Sequence, residues 1–157
     1  KPSSAASDVY KRQEKGLSLM EFQKTATEDS GRIDQEFDRR MIDEAHRLDR
    51  EHGGCIVSTW LGPWLIKDSM FNVFLKVSDE VAAKRTAEKE GLSYSKALKH
   101  VRERFKNNRE RYLKYYGIDI TDLSVFDLII DNDDRTPEET VDIIYSELRK
   151  RGLVKSR

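Results

Sequence analysis

The sequence has one cysteine, no excess of either charge and no long apolar run. Cys55 alone among 157 residues excludes an internal disulfide and a cysteine-based zinc site, and it favours a reduced, cytoplasmic setting. The 29 lysines and arginines balance the 29 aspartates and glutamates, so the whole chain has no net attraction to nucleic acid or anionic lipid. Its apolar stretches are far shorter than a membrane span. We therefore expect a soluble protein of one domain, whose anion binding depends on local arrangement.

The first 13 residues, KPSSAASDVYKRQ, have neither the apolar segment of a signal peptide nor the period of a helix or strand. We expect residues 1–13 to be a non-native or disordered head. The domain itself is then expected to span residues 14–157.

Helix signals fill the first third of this domain. A capping-box pattern, Ser18 to Glu21, begins a short helix. Apolar residues then recur every three or four positions over 33–51, which predicts a longer helix that the glycines at 53–54 end. Three short apolar runs without alternation are predicted to be strands buried on both faces. They are residues 55–59, 71–77 and 126–131.

Helices are predicted after the last two strands as well. Ser78 can cap a helix that Gly91 ends, and the Thr-Pro-Glu-Glu run at 136–139 has the residues of a helix start. A long helix is predicted over 94–115. Strands that alternate with helices indicate a doubly wound α/β domain with a parallel sheet.

The long helix carries the basic segment RERFKNNRERY, residues 102–112, and the helical period divides it into two stripes. The apolar stripe is expected to pack inward and comprises Val101, Phe105 and Tyr112. The other stripe is polar, its side chains are expected to project together, and it comprises Arg104, Asn108 and Arg111. Two guanidinium groups with an amide between them can bracket one anionic ligand. Spacing alone leaves open a solvated face paired with Glu103 and Glu110, or a nucleic-acid patch.

Two long segments resemble the archaeal-type cytidylate kinases, a branch of the P-loop nucleoside monophosphate kinases. They are VFLKVSDEVAAKRTAEKEG at 73–91 and RERFKNNRERYLKYYGIDITDLSVFDLIID at 102–131. The segment 14–40 is similar to the acceptor-binding part of that family. The resemblance implies a three-layer α/β/α kinase fold with a short parallel sheet. It also implies acceptor-binding helices within 18–52 and a lid region at about 85–116.

The resemblance implies phosphoryl transfer from ATP to CMP, and to lesser degrees to dCMP or UMP, with Mg²⁺ as cofactor. Such enzymes act mainly by aligning the donor with the acceptor and by neutralising charge on the transferred group. An adenylate kinase-like enzyme and a non-catalytic nucleotide- or RNA-binding module are the alternatives. We expect a monomer at full length and no membrane partner.

The resemblance also assigns roles to individual residues. The arginines that grip the acceptor phosphate and the transferred group match Arg104 and Arg111. Acceptor contacts are expected from Asn108, Asp34, Asp38, Arg39 and Trp60. ATP contacts are expected from Arg85, Arg109, Asn132 and Arg135. Ion pairing on a helix surface is the alternative for Asp34, Asp38 and Arg39, and buried packing is the alternative for Trp60. No residue is assigned as a metal ligand.

The sequence departs from the family pattern at two places. It contains no G-x-x-x-x-G-K-[ST] loop, the element that holds the β-phosphate and the Mg²⁺ ion of ATP. In the family this loop follows the central strand just upstream, so we expect a truncated chain that lacks roughly 20 to 30 residues and has little or no kinase activity. The second departure is the segment 58–64, STWLGPW, which replaces a charged segment and puts the identity of the acceptor in doubt.

Overall fold

The computed structural model describes residues 31–154, which belong to two compact units. The first unit contains residues 31–68 and 110–120, and the second contains residues 69–109 and 121–154. The predicted head and the helix predicted from Ser18 lie outside the described residues. Within residues 31–154, no helix is both long and apolar enough to cross a membrane.

Five α-helices and two β-strands are described in residues 31–154. In chain order they are α1 (Arg32–His52), α2 (Gly62–Leu65), β1 (Val73–Lys76), α3 (Asp79–Glu90), α4 (Tyr94–Tyr116), β2 (Leu128–Asp131) and α5 (Pro137–Lys150). A 3-10 turn, Leu123–Val125, precedes β2. Helix α4 contributes its first 16 residues, 94–109, to the second unit and its C-terminal end to the first.

The first unit is built from α1, α2 and the C-terminal end of α4. Helix α1 ends where predicted, because Gly53 adopts the left-handed conformation (φ 68°) and its N–H donates to the Asp49 carbonyl at 2.7 Å. The core of this unit is formed by Leu61, Tyr112 and Ile120. Five half-buried residues pack around them: Trp60, Trp64, Leu65, Tyr116 and Ile118.

The second unit contains a parallel pair of strands, as the alternation of strands and helices predicts. Val73 of β1 lies opposite Leu128 of β2, and Lys76 lies opposite Asp131. Each strand leads into a capped helix. The Ser78 Oγ accepts a hydrogen bond from the Val81 N–H at 3.3 Å at the start of α3. At the start of α5, Thr136 and Glu139 form a reciprocal capping box.

The strand predicted at residues 55–59 is wrong. The structure assigns these residues to no helix or strand, and within residues 31–154 the sheet consists of β1 and β2 alone. The side chains alternate between half-buried and exposed positions, and Ile56 is 81% exposed. An apolar run can form a ladder only where another strand accepts its backbone hydrogen bonds, and the described residues supply none to this segment.

Candidate functional site

A buried ion pair joins the beginning of α1 to the C-terminal end of α4 in the first unit. The Nε of Arg111 lies 2.8 Å from Oδ2 of Asp34, and the two side chains are only 14% and 4% exposed. Asp34 lies in the first turn of α1. Removal of one partner from a buried pair leaves an uncompensated charge, so the two groups depend strongly on each other.

A second polar contact lies one helical turn further along α1. The Tyr116 hydroxyl donates a short hydrogen bond to the buried Asp38 carboxylate. Asp34 and Asp38 are four positions apart, so both carboxylates project from the same face of α1. They therefore form one buried polar seam with Arg111 and Tyr116, which we call the acidic seam. Surface ion pairing, the alternative for these aspartates, does not describe them, since both are buried.

Two phenols in and beside the acidic seam, Tyr116 and Tyr112, have raised pKa values. Burial raises the pKa of Tyr112 from its ordinary value of 10.0 to about 12, against a lowering contribution from the Arg111 cation. Burial, followed by the hydrogen bond to Asp38, also raises the pKa of Tyr116. The Arg111 guanidinium carbon lies 5.4 Å from the centre of the Tyr112 ring, within the range of a cation–π contact. Both phenols are therefore neutral at physiological pH.

The other residues predicted on the acceptor side of this unit have different surroundings. Trp60 is half-buried and packs against the core of Leu61, Tyr112 and Ile120, as its alternative predicts. Arg39 is exposed on α1. The structure therefore brings Asp34, Asp38 and Arg111 together, and it places Trp60 in the core that supports them.

In the second unit, Arg85 holds the loop that follows β2. Its terminal nitrogen donates to the carbonyls of Asn132 and Asp133, at 2.8 Å and 3.2 Å. The Asp133 carboxylate in turn accepts from the Ser78 N–H at 2.7 Å, and this hydrogen bond is the main cause of a lowered pKa at Asp133. Arg85 and Asn132, both predicted to contact ATP, are therefore neighbours in space.

Arg135 and Thr140 complete the same loop. The Arg135 Nε donates to the Asp131 carbonyl at 2.9 Å. The buried Thr140 hydroxyl donates to the Asn132 side-chain oxygen at 2.5 Å. The loop at 131–135 is therefore held by side chains from both α3 and α5.

The two stripes predicted for the basic helix are only partly correct. Tyr112 is buried as predicted, but Phe105 is 42% exposed. In the polar stripe, Asn108 is buried, and Arg104 and Arg111 are half-buried; Arg109, which lies outside that stripe, is exposed. Helical spacing identifies residues that share a face, but the direction of that face depends on neighbours that are distant in the sequence.

Part of the basic helix is a solvated, ion-paired surface. The Nε of Arg102 lies 3.1 Å from Oδ2 of Asp79, and Lys99 pairs with Glu103 at 3.7 Å. All four side chains are about half exposed or more. Pairs of this kind contribute little to stability, so they identify the outer face of the helix and not a binding site.

Comparison with known proteins identifies the family. The family model described as "Cytidylate kinase-like family" matches residues 3–134. A cytidylate kinase of Pyrococcus horikoshii is 41% identical over 131 residues, which are 83% of this chain and 65% of that protein. The chain belongs to the cytidylate kinase-like family.

Two further cytidylate kinases are similar to this protein over most of its length. A cytidylate kinase of Sulfurisphaera tokodaii is 38% identical over 87% of the chain and 73% of its own length. A cytidylate kinase of Aeropyrum pernix is 38% identical over 89% of the chain and 78% of its own length. The family match also includes residues 3–13, for which a non-native origin remains a prediction.

For a member of the cytidylate kinase-like family, the described residues offer little to hold a metal ion. Within residues 31–154 there is no group of three or more His, Cys, Asp or Glu side chains that could do so. Magnesium in phosphoryl transfer is held largely by substrate phosphates and water. The described residues therefore do not form a metal site by themselves.

Sequence reasoning did not identify two polar residues of these sites. Tyr116 lies in the segment 102–131 that resembles the family, but the resemblance gives it no role. Thr140 lies just outside the predicted ATP loop. Tyr116 could have been found only through its partner Asp38, which is 78 positions away in the chain. Thr140 is four residues after the cap residue Thr136, a spacing at which a threonine hydroxyl can reach back to the preceding turn.

Proposed function

We propose that the protein transfers the γ-phosphoryl group of ATP to CMP, with dCMP and UMP as poorer acceptors. Membership of the cytidylate kinase-like family carries this proposal. In the reaction, a phosphate oxygen of CMP attacks the γ-phosphorus, the bond to the bridging oxygen of ATP breaks, and CDP and ADP are released. We propose that this occurs in the cytoplasm, in a monomeric protein, with Mg²⁺ entering as a complex with ATP.

We propose that Arg111 contacts the phosphate of the acceptor. An arginine fork can bind two phosphate oxygens at once, and a guanidinium held in a buried setting acts more strongly than one in water. Asp38, Arg39 and Trp60 are proposed to serve the nucleoside part of the acceptor. The neutral, half-buried phenol of Tyr116 supports this proposal, because it donates a hydrogen bond to the Asp38 carboxylate.

We propose that the second unit binds ATP through the loop at 131–135. Asn132 and Arg135 belong to this loop, and Arg85 fixes it by its bonds to the carbonyls of Asn132 and Asp133. Arg104 is proposed to stabilise charge on the transferred group, with Asn108 and Arg109 beside it on α4. Such electrostatic stabilisation is the main contribution that a protein makes to phosphoryl transfer.

The 157 residues contain no G-x-x-x-x-G-K-[ST] sequence, and we propose that by themselves they do not turn over CMP. In the family this loop supplies backbone N–H groups and a lysine to the ATP phosphates. No segment of residues 1–157 has an equivalent glycine pattern.

The test is a kinase assay with ATP and each of CMP, dCMP, UMP and AMP. We expect the protein in its full natural length to have its highest kcat/KM for CMP, and residues 1–157 alone to show no turnover. A higher kcat/KM for AMP would favour the adenylate kinase-like alternative and contradict the proposal. Turnover of CMP by residues 1–157 alone would contradict the requirement for the loop.

Two arginine variants, Arg111→Gln and its control Arg47→Gln, extend this assay. The first removes the proposed phosphate contact. We expect it to lower kcat/KM for CMP by roughly 100-fold or more, as loss of a charged group that contacts the reacting phosphate does in other enzymes. Arg47→Gln is the control, because Arg47 is an exposed arginine on α1 that pairs with Glu44 and Glu51. An equal loss in both variants would contradict a specific role for Arg111.

A further inference from the structure

We propose that Asp34 is a positioning residue, which acts on the acceptor phosphate only through Arg111. This inference rests on the proposed function, since it takes Arg111 as a phosphate contact. It differs from the role that family resemblance gives Asp34, which is a contact to the acceptor nucleotide itself.

Asp34 contacts Arg111 at the base of its guanidinium group. Asp34 lies against Nε of Arg111, the donor nearest the aliphatic stem, at 2.8 Å. Asp34 Oδ2 and Arg111 Nε are both buried and in ion-pair contact without hydrogen-bond alignment, so the carboxylate holds the base of the guanidinium by charge. Because the guanidinium is planar, this contact limits the positions that its two terminal amino groups can take. Asp34 can therefore set the orientation of the Arg111 fork.

Of the two side chains in the ion pair, Asp34 is the more deeply buried. The Asp34 side chain is 4% exposed, whereas that of Arg111 is 14% exposed. A carboxylate with so little accessible surface has almost no area to offer a ligand. A negative group would also repel the phosphate of a nucleotide, so direct contact with the phosphate is unfavourable. Of the two partners, Arg111 is the one suited to meet the anion.

Other contacts hold α1 against the C-terminal end of α4 independently of this ion pair. Asp38 accepts from Tyr116, and Gly31 packs closely on the Tyr115 side chain. The Tyr112 ring lies 5.4 Å from the Arg111 guanidinium carbon and limits its movement on another side. Loss of the Asp34 charge should therefore release the Arg111 side chain while the two helix segments stay in place.

The test compares the affinities of CMP and cytidine, which differ only by the phosphate. Titration calorimetry on the protein in its full natural length gives both dissociation constants, and their ratio reports the contribution of the phosphate. We expect Asp34→Asn to reduce this ratio about tenfold, since Arg111 must then be ordered when the phosphate binds. Cytidine affinity should not change. Glu44→Gln removes one carboxylate from an exposed ion pair on the same helix and should leave both affinities unchanged.

A double-mutant cycle separates positioning from direct contact. In an Arg111→Gln background, Asp34→Asn should cause no further change in the ratio, because its effect passes through Arg111. Equal losses of CMP and cytidine affinity in Asp34→Asn, or additive effects in the double variant, would overturn the inference while the proposed function stands. If the unaltered protein binds CMP no better than cytidine, the proposed function fails and the inference fails with it.

A measurement on the unaltered protein keeps the inference testable even if Asp34→Asn does not fold. The Arg111 Nε–H signal in a ¹⁵N NMR spectrum should be protected from solvent exchange before any nucleotide is added. It should stay protected when CMP binds, because Nε is buried against the Asp34 carboxylate and the phosphate meets only the terminal amino groups. Rapid exchange of this proton in the free protein would overturn the inference.

Discussion

At the scale of single residues, the first unit is governed by two phenols beside two carboxylates. Tyr116 donates to Asp38, and Tyr112 lies beside the ion pair of Arg111 with Asp34. A phenolate at either position would be buried next to negative charge, so the folded state strongly favours the protonated form. This preference links the stability of the unit to pH in the alkaline range.

Ionisation of Tyr112 should lower the stability of the protein as the pH rises from 10 to about 12. Its pKa is 10.0 in the unfolded chain and about 12 in the folded protein, so its contribution is complete below pH 10 and is lost as pH rises to about 12. The difference corresponds to about 3 kcal/mol of unfolding free energy. Urea unfolding at pH 9 and at pH 12 measures the loss.

The control for this prediction is Tyr112→Phe, which removes the ionisable hydroxyl and keeps the ring. Its unfolding free energy should fall less between the two pH values than that of the unaltered protein. Tyr116 and the lysines titrate in both proteins, so the difference between them isolates Tyr112. An identical fall in both would show that Tyr112 does not have the raised pKa.

At the scale of the element, the start of α1 depends on a close approach of backbone to an aromatic ring. Gly31 has φ +78°, and its carbonyl accepts from the Gln35 N–H at 2.9 Å. A Cβ placed on Gly31 would lie 2.6 Å from Cγ of Tyr115. That atom is at the root of the ring, so the side chain cannot yield by a movement of its tip. Only glycine fits this position without displacing α4.

Gly31→Ala should be markedly more destabilising than Gly53→Ala at the other end of the same helix. Both glycines have positive φ, and an alanine there costs about 1–2 kcal/mol in the left-handed region. Nothing lies within 4 Å of a Cβ at Gly53, so the clash with Tyr115 is specific to Gly31. Overpacking adds about 1–3 kcal/mol there. Thermal unfolding of both variants checks this, and equal shifts in melting temperature would contradict it.

The ends of the helices could be predicted from the sequence, whereas the absence of a strand at 55–59 could not. Ser78, Thr136 and Gly53 act on backbone groups within a few residues of themselves, so their effects are visible in the local sequence. The run at 55–59 has the composition of a buried strand, but a strand requires a partner that local sequence does not specify. The same distinction explains why Asp38 was identified while its partner Tyr116 was not.

At the scale of the whole molecule, family resemblance could name residues for the candidate site but could not give their contacts. Family resemblance selected Asp34 and Arg111 separately, and their ion pair spans 77 positions of sequence. Resemblance assigned Arg85 to ATP, whereas in the structure it bonds to two carbonyls of the loop after β2. Which side chains meet depends on how the helices pack, and composition and spacing do not determine that packing.

The sheet and the net charge together predict that residues 1–157 associate at neutral pH. Within residues 31–154, β1 pairs with β2 alone, Leu75 is 44% exposed, and the 29 cationic and 29 anionic side chains provide no net repulsion. Leu75→Lys should weaken association, because a charged residue on an edge strand opposes pairing with another chain. Val141→Lys is the control, since Val141 is 62% exposed on α5, outside the sheet. Sedimentation velocity over a range of concentrations measures the effect. A monomer at every concentration, or equal weakening by both variants, would contradict it.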